Sequence, residues 1–281
     1  MRLGGPVFYT GNDPEEYADL HVKKGYRAAL CPGWLTLDKP EEISAMRKAM
    51  EHRDIKIAEM GAWCNPLHPD PSQAQRSVAY MIEKLRIADA LEATTCVNII
   101  GSKCADKWDA PSKEGYEPSF FQEAVNVVRF IVDTAKPVHT KLSFEMMPYY
   151  FLDSPEEYLR FLEAVDRKEV GIHLDICNCI NQPRRYYQNA DFIRHTVGLL
   201  NDAILSIHLK DIRLNPACTT VSLEEVLIGT GGLDYPVLLQ EISKLHPDTP
   251  AILEHLATEA EYDMAAQAVR EAAQKAGVML S

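Results

Sequence analysis

The chain has 281 residues, 46% hydrophobic and 25% charged, an ordinary balance for a globular protein and long enough for a large core. Its formal net charge of −12 argues against sequence-independent nucleic-acid binding, which needs a basic surface for phosphates, and against docking on anionic membranes. No apolar run approaches the roughly 18 residues of a membrane span, and the N-terminal Met-Arg-Leu-Gly-Gly-Pro lacks the basic-then-apolar pattern of a signal peptide, so a cytoplasmic protein is expected.

Short β-type runs alternate with longer helical patterns, the signature of a parallel sheet. Strand 1 falls around Leu3–Tyr9, and Asn12-Asp13-Pro14 opens a helix reaching Lys24. Pro just inside a helix start removes only an N–H that has no partner there anyway. Strand 2 is Arg27–Cys31, with a helix from Pro40 to His52. Strand 3 is Ile55–Gly61, followed by a long helix from Ser72; strand 4 is Cys96–Ile100, with its helix starting near Ser119. Strands 5 to 8 are Lys141–Glu145, Gly171–Asp175, Ile204–His208 and Ala251–Glu254, with helices near 154–165, 187–200, 235–244 and 258–276. Eight such pairs with no linker or composition shift read as one domain over residues 1–281, an α/β fold of the (β/α)8 TIM barrel type. Loop 4 (Gly101–Pro118) and loop 7 (Lys210–Gly232) are long, and loops of that length after barrel strands are usually functional.

Each of strands 5 to 8 ends in a metal-capable side chain: Glu145, Asp175, His208 and Glu254, spaced 30, 33 and 46 residues apart. Strand side chains alternate between faces. Ser143 with Glu145, His173 with Asp175, and Ser206 with His208 therefore point into the barrel, and each ligand candidate is the last inward residue. Taken singly, any of these could be a helix cap or a packed histidine. Taken together they form a mixed oxygen and nitrogen shell. With no Cys it suits Mn²⁺, Mg²⁺ or Co²⁺ with positions left open for substrate oxygens. Such an ion polarises a carbonyl, and a shell Glu can act as base on the neighbouring carbon. The seven Cys, an odd number, read as reduced thiols rather than a disulfide framework.

With these segments the chain resembles the sugar phosphate isomerase/epimerase superfamily, the xylose isomerase-like TIM barrels, over essentially its whole length. The carrying segments are EMGAWCNP (59–66), FEMMP (144–148), HLDICN (173–178), HLKD (208–211), GTGGLD (229–234) and LEH (253–255). The resemblance implies one divalent ion, Mn²⁺ foremost, held by Glu145, Asp175, His208 and Glu254. It implies that Glu145 and Glu254 are the catalytic acid/base pair, moving a proton next to a carbonyl through a metal-bound enediolate. A carbohydrate substrate and a homo-oligomer are expected on the same ground. One position departs from the pattern. Asn178 stands where the epimerases usually carry a His, and Asn can hydrogen-bond but cannot carry charge. That leaves room for a lyase on the same scaffold, an inosose-type dehydratase or the catalytic subunit of a C-glycoside deglycosidase acting on a 3-keto sugar, the latter with a second subunit.

Further substrate contacts are expected from Lys210, which shares the inward direction of His208, and from Arg213, Asn65 and His68. Trp63 and Trp108 are candidate walls against a sugar ring. Each has a plainer alternative: solvated loop residues for the polar ones, packing of the barrel mouth for the indoles. His255, directly after Glu254, should point away from it. Two other classes are disfavoured: an abasic endonuclease by the acidic chain and single shell, and a non-catalytic binding barrel by the intact ligand set.

Overall fold

The computed structural model describes residues 1–281 and has a closed parallel barrel at its centre. Its strands are β1 (Arg2–Gly4), β2 (Ala28–Leu30), β3 (Lys56–Gly61), β4 (Thr95–Asn98), β5 (Lys141–Glu145), β6 (Val170–Asp175), β7 (Ile204–Leu209) and, after an excursion, β10 (Pro250–Leu253). They neighbour one another in chain order, and β10 pairs with β1 to close the ring. The helices between them are set by local signals. Asp13 caps helix α1 (Pro14–Lys24) by accepting from the N–H of Glu15 and Glu16, and Gly25 ends it at φ 69°, a left-handed turn that suits a residue without Cβ. Asp70 caps α3 (Pro71–Ala90), and Thr258 with Glu261 forms a capping box on α10 (Glu259–Ala276).

The main core lies between the strands and the surrounding helices, a cluster of 69 buried apolar residues. The barrel interior is floored by a small separate cluster, Ala28, Ala58 and Ile252. Above this floor the inward side chains become polar, and Ser143, His173, Asp175, Ser206 and His208 are all buried. All seven cysteines are free thiols. No helix is long and apolar enough to cross a membrane.

The structure departs from the sequence expectation in several places: strand 1 covers Arg2–Gly4 instead of Leu3–Tyr9, and the helix expected near 187–200 is preceded by a separate short one over Pro183–Tyr187. Loop 7 is not a plain connector: it carries an antiparallel hairpin, β8 (Asp211–Leu214) with β9 (Leu223–Val226). Register shifts occur between Ala29 and Leu30, where β2 meets β3, and between Ile172 and His173, where β6 meets β7.

Candidate metal centre

β5, β6, β7 and β10 bring Glu145, Asp175, His208 and Glu254 to one point, with one donor atom from each lying within 4.8 Å of all the others. His208 Nδ1 lies 3.2 Å from Glu145 Oε1 and 3.0 Å from Glu254 Oε2. Its other ring nitrogen, Nε2, lies 3.0 Å from Glu59 Oε1. His173, one layer below, packs T-shaped on His208 with ring centroids 3.9 Å apart and bonds Ser206 Oγ through Nδ1 at 2.6 Å. Burial lowers His173 to about 3, so this imidazole is neutral.

Lys210 is buried among the carboxylates. Its Nζ lies 2.7 Å from Asp175 Oδ2, 3.3 Å from Glu254 Oε2 and 3.4 Å from Glu145 Oε1, and it donates to Asn178 Oδ1 at 3.3 Å. Burial alone would lower its pKa, but Asp175, Glu145 and Glu254 outweigh that and hold the ammonium charged well above its usual range. Burial would raise Glu145, yet Lys210 and His208 hold it well below the ordinary carboxylate range, while Glu254 is lowered, against burial, chiefly by His208. Asp175 goes the other way, raised to about 7 by burial, even though it is nearest to Lys210. Several acids share too few cations, and the most deeply buried one bears the desolvation.

This arrangement fits a divalent cation. The donor set is three carboxylates and one imidazole, hard to borderline ligands. Asp175 Oδ2 and Glu254 Oε2 are buried and lack a well-directed hydrogen bond, although Lys210 stands close to both and His208 Nδ1 to the second. Buried carboxylate oxygens without a donor are costly, and a cation would satisfy them.

A cavity of about 340 Å³ opens above the cluster, within the range of small-molecule sites. Glu145, Lys210 and Glu254 form part of its lining, with Trp63, Trp108, Met147, Asn178, Glu225 and His255 around them. Asn178 donates from Nδ2 to Glu145 Oε1 at 3.0 Å and reaches Lys210 with its oxygen, so it couples the two. Trp63 and Trp108 are both partly exposed along this lining.

Three expected substrate contacts lie elsewhere. Arg213 points from β8 toward Glu224 and is exposed, because the hairpin carries it off the barrel axis. The buried Asn65 is a loop fastener: it donates to Ser102 O at 2.7 Å and accepts from the N–H of Leu67 and Ser102. His68 accepts from Asp70 N–H at 2.9 Å, just before α3. Local turns had first claim on both polar side chains.

His255 was expected to turn away from the site and instead lines the cavity. β10 ends at Leu253, and His255 takes φ 59°, so strand alternation no longer applies. Its Nδ1 lies 2.8 Å from Glu225 Oε2, and the pair raises the imidazole above its usual pKa. Glu225, absent from the sequence reading, arrives on the hairpin. That hairpin is anchored by Asp211, whose Oδ1 accepts from Ile212 (2.8 Å) and Leu233 (3.2 Å) and whose Oδ2 accepts from Gly229 (3.0 Å) and Gly231 (2.9 Å). A Cβ on Gly231 would stand 2.2 Å from Asp211 Oδ1, so only glycine lets this turn close on the carboxylate.

A sequence model of the xylose isomerase-like TIM barrel family matches residues 25–277. The chain belongs to that family. Among solved structures this xylose isomerase-like barrel is similar to D-psicose 3-epimerase from Clostridium cellulolyticum H10, at 14% identity and TM-score 0.69 over 99% of this chain and 100% of the other. It is similar to 3-keto-D-glucoside 4-epimerase from E. coli, at 12% identity and TM-score 0.70 over 98% and 99%. It is also similar to the probable 3-DHS dehydratase AsbF from Bacillus anthracis, at 16% identity and TM-score 0.67 over 91% of each chain. At these identities the likeness establishes the fold. No curated protein matches the sequence.

Proposed function

We propose that this xylose isomerase-like barrel is a divalent-metal-dependent isomerase or epimerase of a sugar or keto-sugar, and that Glu145 and Glu254 carry its proton. The observation behind this is the placement of those two carboxylates: one ends β5 and the other directly follows β10, both approach His208 Nδ1, and both line the same cavity. Two carboxylates flanking one bound carbon can remove a proton from one face and return it to the other. Glu145, Asp175, His208 and Glu254 would hold the ion, with Mn²⁺ the first choice and Mg²⁺ or Co²⁺ alternatives. When bound, such an ion polarises the substrate carbonyl and stabilises the negative charge that develops on proton removal. Lys210, held charged by its neighbours and lining the same cavity, would stabilise that charge. Asn178 keeps Glu145 in place through its 3.0 Å hydrogen bond, and the indoles of Trp63 and Trp108 line the cavity, where they would offer apolar walls to a sugar ring.

A lyase is the second reading, and Asn178 favours it. An amide there orients Glu145 and Lys210 but cannot itself shuttle a proton to a substrate hydroxyl. Removal of a proton next to a carbonyl would then be followed by loss of a β-substituent, water or an aryl group.

A panel of ketoses, inososes and 3-keto-glycosides in deuterated water with Mn²⁺, followed by NMR, tests both. Deuterium uptake with an epimer or isomer as product supports the first reading, and an unsaturated or cleaved product supports the second. Retention of full activity after removal of the metal, or in an E145Q chain, would sink both.

A further inference from the structure

Glu59 is outside the four-residue ligand set, yet it is buried beside it. Plain alternation along β3 would put Ala58 and Met60 inside and Glu59 among the helices. The register shift opposite Ala29 and Leu30 changes this: Ala29 pairs with Ile57, but Leu30 pairs with Glu59. Met60 packs in the helix-side core, while Ala58 and Glu59 both face the barrel interior. Bulges beside sites commonly re-aim a side chain in this way.

The re-aimed carboxylate meets His208 on the ring edge away from the cluster, Oε1 to Nε2 at 3.0 Å. A carboxylate only accepts, so Nε2 carries a hydrogen, and Nδ1, which also faces carboxylates, carries one as well while no ion is bound. An ion at the point where Glu145 and Glu254 meet would displace the hydrogen from Nδ1, and the hydrogen that Glu59 holds on Nε2 would leave the Nδ1 lone pair as the one offered. His173 backs the arrangement: its ring rests against His208, and its Nδ1 lies 3.5 Å from Glu59 Oε2.

We infer that Glu59 is a positioning residue that holds His208 so that Nδ1 is the atom offered to the divalent ion. The inference rests on the metal-centre reading above. Partners of this kind fix the tautomer and orientation of a ligating histidine, and their loss typically lowers metal affinity about 10–100-fold.

The test is Mn²⁺ affinity of the full chain, by chelator competition, for wild type, E59Q and E59L, with the ring-nitrogen NMR signals of ¹⁵N-histidine-labelled wild type in Mg²⁺. E59L should bind Mn²⁺ about 10–100-fold more weakly, and E59Q, whose amide oxygen still accepts from Nε2–H, should recover most of the loss. In the Mg²⁺-loaded protein His208 should carry its hydrogen on Nε2. Affinity of E59L equal to wild type, E59Q as weak as E59L, or a hydrogen on Nδ1 would each overturn the inference. So would binding of two Mn²⁺ per chain, which would make Glu59 and His173 ligands. If E59L does not fold, E59Q and the ring-nitrogen signals still decide the matter. A wild-type chain that binds no Mn²⁺ overturns the metal-centre reading itself, and that is seen before any variant is compared.

Discussion

Replacing Asp211 by Ala should loosen the hairpin that delivers Glu225 to the cavity. The carboxylate accepts four backbone N–H groups, of which those on Ile212 and Leu233 are buried. A buried donor left without an acceptor costs about 1–3 kcal/mol. The N–H groups of Gly229 and Gly231 are nearer solvent and can recover water, so they add little. The loss is then about 2–6 kcal/mol, a large share of the 5–15 kcal/mol typical of a domain. At about 2–4 °C per kcal/mol for chains near this size, D211A should melt roughly 4–24 °C below wild type. D211N should fall between, because its amide has one oxygen and whichever way it turns its NH₂ faces two donors. Thermal melts give the stability, and chelator competition gives Mn²⁺ affinity. The ligand set lies outside the hairpin, so affinity should hold while KM for the substrate rises as Glu225 leaves. A D211A chain that melts within a degree of wild type would refute the reasoning.

E145Q and E254Q should each lower deuterium exchange into the substrate by about 10²–10⁴-fold at saturating Mn²⁺, measured by NMR; an effect confined to KM would remove them from proton transfer. Y158F should cost about 1–3 kcal/mol in urea unfolding, because the buried Tyr158 hydroxyl donates to Phe144 O at 2.5 Å and accepts from Phe144 N at 3.1 Å, fastening the residue before Glu145. His21 sets a pH dependence. Burial lowers its pKa, so the native chain keeps it neutral while the unfolded chain takes a proton below about pH 6.5. Its contribution to stability is therefore present above that pH and lost below it, by up to about 1.4 kcal/mol per pH unit. Unfolding free energies between pH 7 and pH 5 should fall less steeply in H21L than in wild type, and equal slopes would contradict the assignment.

The four-residue cluster was legible because parity holds over the last residues before it: the β6–β7 register shift lies below His173 and Ser206, past which His173 with Asp175 and Ser206 with His208 still alternate, and Glu254 directly follows β10. Glu59 was not legible as part of the site, since a register shift between two strands leaves no mark in either strand's own pattern. The hairpin escaped for a different reason. β8 follows β7 after Lys210 alone, and β9 reads Leu-Glu-Glu-Val, too polar to look like a strand, because it is a partly exposed ribbon outside the barrel. Asn65 and His68 were misplaced because loop position says nothing about which backbone donors a side chain meets first. His255 was misjudged because alternation was carried one residue past the end of its strand.

The left-handed backbone of His255 has a consequence for anyone who tries to make this protein more robust. A side chain with a Cβ in that conformation costs roughly 1–2 kcal/mol, which glycine avoids and asparagine reduces. A screen that rewards thermal tolerance alone would select Gly or Asn at 255. Each such winner would remove an imidazole from the cavity wall and release Glu225 from its 2.8 Å partner. Improvement by stability alone would thus erode substrate recognition at this position, and the melting curve would give no warning.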